Sequence, residues 1–170
     1  MAIEKADLKQ IYDTHQQAMF NFALRWVFDF SLAEELVHES FLALWEKRDS
    51  IEKIKVKSYL FKTIQNKAIN WRRKQKFLNA FSLVENEVED SQNLQESQIA
   101  LNQELIEMRE ALENLPMNYR KVLLLSFYGE FSYQEISEQL CISEGTVASR
   151  KSRAIEMLRV KLKVGSEYAI

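Results

Sequence analysis

With 170 residues, Lys+Arg 23 against Asp+Glu 25 and a net charge of −2, the chain has room for one domain or two small ones, and its total charge points to no particular partner. Apolar residues at 46% are enough for a core and exclude wholesale disorder, while 3 Gly and 1 Pro are too few for a fold of tight hairpins. Ala, Leu, Glu, Lys and Gln predominate instead, which predicts an all-α fold. The lone Cys141 excludes an internal disulfide and a Cys-based zinc site, and reads as a small hydrophobe. The N-terminus, MAIEKADLKQ, lacks the apolar run of a signal peptide, and no stretch approaches ~20 apolar residues. A cytoplasmic chain with no membrane insertion is expected.

The charge is unevenly distributed. Residues 53–76 hold nine Lys/Arg and no Asp/Glu; residues 85–113 hold nine Asp/Glu and one Arg; residues 145–163 hold six Lys/Arg against Glu156 alone. Two basic blocks flank an acidic one, cancelling in the total but not locally.

Leu8, Ile11, Tyr12, His15, Met19, Phe22, Ala23 and Trp26 recur at helical spacing and predict a first long helix. Ser31 with Glu34 three residues on is a capping box, so a second helix is expected from Leu32 to about Arg48. Asp49 to Lys57 reads as a loop. A third helix is predicted from Ser58 to Lys76, burying Leu60, Phe61, Ile64, Ala68 and Trp71. Trp71, in phase with Ile64 and Ala68, reads as core rather than as a stacking platform. Phe77 to Asn93 is the linker candidate, spanning on the order of 55 Å if fully extended. The helical pattern resumes at Leu94 and halts at Leu115-Pro116, where the proline starts a new helix ending near Gly129.

Ser132-Tyr133-Gln134-Glu135 is another capping box, opening a short helix to Leu140. The turn Cys141-Ile142-Ser143 follows, then a helix capped by Ser143 and continuing to about Leu162. This helix–turn–helix spacing brings Ile136, Leu140, Ile142 and Val147 together and leaves Thr146, Ser149, Arg150 and Arg153 on a free face. Such a helix fits the DNA major groove, and its donors suit phosphates and guanine edges. The bland alternative is a helical hairpin with a solvated basic face; the basic run favours DNA.

Leu115-Pro-x-x-x-Arg120, Phe131-Ser-x-x-Glu135-Ile136, Ile142-Ser143-x-Gly145-Thr146-Val147 and Arg153-Ala154-x-x-x-Leu158 resemble region 4 of bacterial sigma factors. The sequence departs at Ser137 and Cys141, where many members have Ala and Gly, and at Ala148, where several carry Arg. Ala33-Glu34-Glu35-Leu36-Val37-His38-Glu39-Ser40-Phe41, ending in Leu44-Trp45, resembles the core-polymerase-binding helix of region 2; Asp is common for Glu35 and Gln for His38. Ser58-Tyr59-Leu60-Phe61 and Thr63-Ile64-x-Asn66-x-x-Ile69-Asn70-x-x-Arg73 resemble the promoter-recognition segment that follows. Both motifs, in the family's order on so short a chain, resemble the extracytoplasmic-function (ECF) group of the sigma-70 family.

The resemblance implies a region 2-like domain at 1–76, an acidic linker and lead-in helix at 77–103, and a region 4-like helix–turn–helix domain at 104–170. It implies a non-enzymatic factor that binds core RNA polymerase, reads the −35 and −10 promoter elements and promotes melting. Core polymerase and promoter DNA are the expected partners, an anti-sigma factor a further candidate, and no cofactor is expected. Thr146, Ser149, Arg150 and Arg153 would meet the −35 duplex. Lys62, Lys67, Arg72, Arg73 and Lys74 would hold −10 phosphates, with Asn66 and Asn70 reading exposed base edges. Relatives capture a flipped −10 base at the position of the Asp49–Lys57 loop. Glu34, Glu35, His38 and Glu39, with Leu36 and Phe41, would dock on the polymerase. A duplex-only helix–turn–helix regulator is the competing reading. A nucleic-acid-cleaving enzyme is a distant third, because neither a carboxylate pair nor a nucleophile with its base is recognisable.

Overall fold

The computed structural model describes residues 3–81 and 96–167, which form seven α-helices and one short 3₁₀ turn. Helix α1 runs Lys5–Val27 and stops where Phe28 turns left-handed, φ 54°, returning its N–H to the Leu24 carbonyl. Helix α2 follows at once, Phe30–Glu46. Its cap is Asp29, whose carboxylate accepts from the Leu32 N–H at 2.8 Å, and not the expected Ser31. Only Phe28 and Asp29 separate the two helices, so the extended backbone a cap requires falls on Asp29 and Ser31 is already helical.

The Asp49–Lys57 stretch contains the 3₁₀ turn Lys53–Lys55, and α3 then runs Val56–Phe81. It overruns the expected end at Lys76 because residues 74–80 contain no Gly or Pro to stop it. The rest of the expected linker, and the acidic cluster Glu85 to Asp90, lie outside the described residues. Helix α4 covers Glu96–Glu113, and Pro116 opens α5, Met117–Phe127.

Helix α6, Tyr133–Leu140, begins with the expected capping box: Ser132 N–H donates to Glu135 at 2.7 Å and Glu135 N–H to the Ser132 hydroxyl at 3.2 Å. Those bonds hold the Glu135 carboxyl below its ordinary pKa. Helix α7, Glu144–Glu167, is capped by Ser143, whose hydroxyl accepts from Thr146 N–H at 3.1 Å. Between α6 and α7, Cys141 sits left-handed at φ 54°, ψ 47°. A Cβ there is strained, which explains why glycine is common at this position in the family that the motifs resemble. Cys141→Gly is expected to raise stability by roughly 1 kcal/mol, read as a rise of about 2–4 °C in melting temperature.

Helices α1, α2 and α3 pack mutually, as do α5, α6 and α7, with α4 laid against α7. Across the boundary α1 touches α5 and α3 touches α6. One apolar cluster therefore runs through both halves, from Phe22, Trp26, Leu44 and Phe61 to Leu124, Phe131, Ile136 and Val147. Phe61 joins them: its ring meets Phe22 on one side and Phe131 on the other, both with centroids at 5.1 Å.

Candidate nucleic-acid interface

Helix α3 buries Leu60, Phe61, Ile64 and Ala68. Helical periodicity then turns Lys62, Asn66, Asn70, Arg73 and Lys74 outward, and all five are exposed. Lys62, Asn66, Asn70 and then Arg73 and Lys74 follow one another at three- or four-residue steps, so the two short amides lie between cations at either end. Two members of the expected set are turned aside. Lys67 is ion-paired to Glu39 of α2 at 2.7 Å. Arg72 donates to the Trp26 carbonyl at 3.1 Å and pairs with Glu113 at 3.2 Å, so it faces the C-terminal half. Trp71 is half-buried against the core, as its phase predicts.

Helix α7 holds Val147 and Ala154 in the core, which leaves Ser149 and Arg153 exposed and Arg150 half-exposed. Thr146 is more constrained than expected, because its hydroxyl is 2.8 Å from that of Ser143 in the cap. Lys151 lies over the rings of Phe127, 4.9 Å, and Tyr133, 5.3 Å, and buttresses the helix pair.

On α2, Glu34, Glu35 and His38 are exposed and Glu39 is half-buried beside Lys67. Leu36, 4% exposed, belongs to the core and is out of a partner's reach, because its position on the helix faces α1 and α3. Phe41, 8% exposed, packs its ring on Tyr12 at 5.0 Å and forms the floor of an apolar groove of ≈ 530 Å³. Leu42, 58% exposed, and Trp45 line that groove with Lys5, Leu8, Lys9, Tyr12 and His38, and neither is among the docking residues that the motif implies.

The contact between the halves was not foreseen either. Arg120 of α5 is 2% exposed and donates to the carbonyls of Arg25, at 2.9 Å, and Trp26, at 3.2 Å, with its guanidinium over the Trp26 ring. It thereby satisfies the orphan carbonyls at the end of α1. Burial, and then the Arg72 charge beside it, pull its pKa down to about 9, with Glu113 opposing. Arg25 donates to the Tyr128 hydroxyl at 3.0 Å, and Lys57 to the Glu130 carbonyl at 2.9 Å. Gly129 is required here: a Cβ would lie 2.6 Å from the Phe131 ring that packs on Phe61. Among the described residues no cluster of His, Cys, Asp and Glu could hold a metal, and no helix is long and apolar enough to cross a membrane.

The family model for sigma-70 region 2 matches residues 11–77, and that for sigma-70 region 4 matches residues 105–158. The chain is 32% identical over 164 residues to the ECF RNA polymerase sigma factor SigL of Mycobacterium tuberculosis, covering 95% of this chain and 92% of that protein. The chain belongs to the ECF sigma factors of the sigma-70 family. The ECF RNA polymerase sigma factor SigX of Bacillus subtilis is a further relative, 27% identical over 88% of this chain and 80% of its own length. Among solved structures, CnrH in complex with the cytosolic domain of CnrY has the same fold, with TM-score 0.71 at 20% identity over 95% of this sigma factor and 90% of CnrH. The sigma factor RpoE of Bartonella quintana, in complex with the anti-sigma factor NepR, superposes with TM-score 0.67 at 26% identity over 93% and 98% of the two chains. In this sigma factor α1–α3 carry the region 2 match and α4–α7 the region 4 match.

Proposed function

We propose that this ECF sigma factor docks on core RNA polymerase through the α2 face, reads −35 duplex with α7 and holds the opened −10 strand on α3. The exposed stripe Lys62, Asn66, Asn70, Arg73 and Lys74 carries the reading. A protein that only gripped duplex would need cations there, and the interleaved amides suit unpaired base edges instead. His38, Lys5 and Lys9 line the Phe41–Leu42–Trp45 groove, which thus joins an apolar floor to a polar rim, the composition of a protein-docking patch, and Glu34 and Glu35 are exposed on the same helix. As an initiation factor the protein acts by recruitment, with no reaction of its own. The anti-sigma factor NepR is bound to RpoE, and an inhibitor of that kind is proposed as a partner here as well.

Co-elution of the full chain with core polymerase in the absence of DNA tests the reading. Failure to bind would hand the case to a duplex-only helix–turn–helix regulator. Arg153→Ala is expected to weaken −35 duplex binding by ~1–3 kcal/mol if its guanidinium reads a guanine, with thermal stability unchanged because the side chain is exposed. Half-exposed Arg150→Ala should lower both. Unchanged DNA affinity in both variants would remove α7 from the interface.

A further inference from the structure

The face proposed to dock on the polymerase lies on α2, and the face proposed to hold the opened strand lies on α3. An ion pair joins the two: Lys67 Nζ of α3 is 2.7 Å from Glu39 Oε2 of α2. The helices themselves are fixed. They pack on each other with Leu44, Leu60 and Ile64 fully buried, and the Tyr59 hydroxyl donates to the Ala43 carbonyl at 3.3 Å. Any rearrangement of the pair is therefore a swing of two side chains and not a movement of helices.

Both members are within reach of a partner, their side chains being 37% and 42% exposed. Helical phase sets Glu39 on one side of α2 with Glu35, Leu42 and Glu46, all three exposed. Helix α2 contains no Lys or Arg, so that side calls for a basic partner surface. Lys67 stands on the flank of the α3 stripe, three residues before Asn70 and seven before Lys74, where a phosphate can meet it. A half-exposed ion pair is weak, because water and salt screen it and two long side chains must be held in one geometry. A cation set against Glu39, or a phosphate set against Lys67, can replace it. Each ligand takes one member of the pair and frees the other.

We propose that Glu39 is a positioning residue that couples polymerase docking to capture of the strand. In the free chain it holds Lys67 aside from the stripe; when a basic side chain of the polymerase takes Glu39, Lys67 turns to the phosphate beside Asn70. This rests on the sigma-factor reading given above. Linkage makes the coupling reciprocal, so a strand held on Lys67 tightens the polymerase contact by the same factor. The exposure of the pair sets that factor at about three- to fivefold.

A fluorescently labelled oligothymidine, titrated with the full chain in the absence of polymerase, reads the withheld cation. Glu39→Gln should bind it about three- to fivefold more tightly, with a salt slope steeper by about 0.7. Glu35→Gln removes the same charge one turn away without touching Lys67, and should leave the slope unchanged. In the free chain Lys67→Ala should cost nothing in affinity, and Glu39→Gln should have no effect once Lys67 is replaced. On the polymerase complex, Lys67→Ala should instead weaken binding of a pre-opened promoter strand by about three- to fivefold. A bridge with a structural role alone would lower the melting temperature in both single variants and show none of this interdependence. Equal effects of Glu39→Gln and Glu35→Gln, or a Glu39→Gln effect that survives Lys67→Ala, overturn the proposal. So does a loss on Lys67→Ala as large in the free chain as on the polymerase. If the free-chain variants behave as stated and neither they nor the wild type bind core polymerase, the withholding of Lys67 stands and the sigma-factor reading falls.

Discussion

An Asn66→Ala/Asn70→Ala variant should bind core polymerase and −35 duplex normally and yet lose promoter melting by about two orders of magnitude. The two side chains lie one helical turn apart on the exposed face of α3, between Lys62 and Arg73. The cations supply a salt-sensitive attraction that any strand can satisfy. The amides can pair with the edge of a base once it is unstacked, and each such contact is worth roughly 1–3 kcal/mol. Losing both removes what favours the open strand over the duplex while leaving the cations in place. Permanganate reactivity of −10 thymines measures the loss, and a template with a pre-opened bubble should restore transcription. Normal melting by the double variant would take Asn66 and Asn70 out of the site.

Phe22→Ala should cost about 3–5 kcal/mol and lower the melting temperature by about 10 °C. Its ring is fully buried in α1, edge-on to Trp26 at 6.2 Å and to Phe61 at 5.1 Å. The cavity would open at the junction of α1 and α3, where neither helix can close in without dragging the ends that Arg120 and Phe131 grip. The effect should therefore reach the C-terminal half: calorimetry is expected to show one cooperative transition displaced as a whole. A second transition left at the wild-type temperature would show that the halves unfold independently.

Much of this was legible in the chain because the signals are local. Ser132 with Glu135 announces the start of α6, since a hydroxyl and a carboxylate three residues apart satisfy two orphan N–H groups wherever they meet a helical run. Pro116 announces α5 for an equally local reason. The periodicity of Leu60, Phe61, Ile64 and Ala68 both buries one side of α3 and dictates that Lys62, Asn66 and Asn70 face outward. Burial and exposure on a helix are one fact read from two sides.

The cap of α2 is not decided by such a local signal. Ser31-x-x-Glu34 and Asp29-x-x-Leu32 are both plausible starts, and the choice between them depends on where α1 releases the chain, at Phe28. The reach of Lys67 to Glu39, and of Arg72 to Trp26 and Glu113, involves partners far away in sequence, and nothing in the basic run distinguishes these two cations from Lys62 or Arg73. Leu36 likewise shares a motif with exposed neighbours but not their fate.

By itself the sequence determined the helices, the two motifs with the family they mark, and which faces carry charge, because each depends on residues within a few turns of one another. Only the tertiary structure decided that the two halves share a core, that Arg120 ends in the interior against the last carbonyls of α1, and that Arg72 is withheld from the basic face. Those outcomes depend on which surfaces meet, and an arginine in a sequence looks the same whether it will face water or the end of another helix.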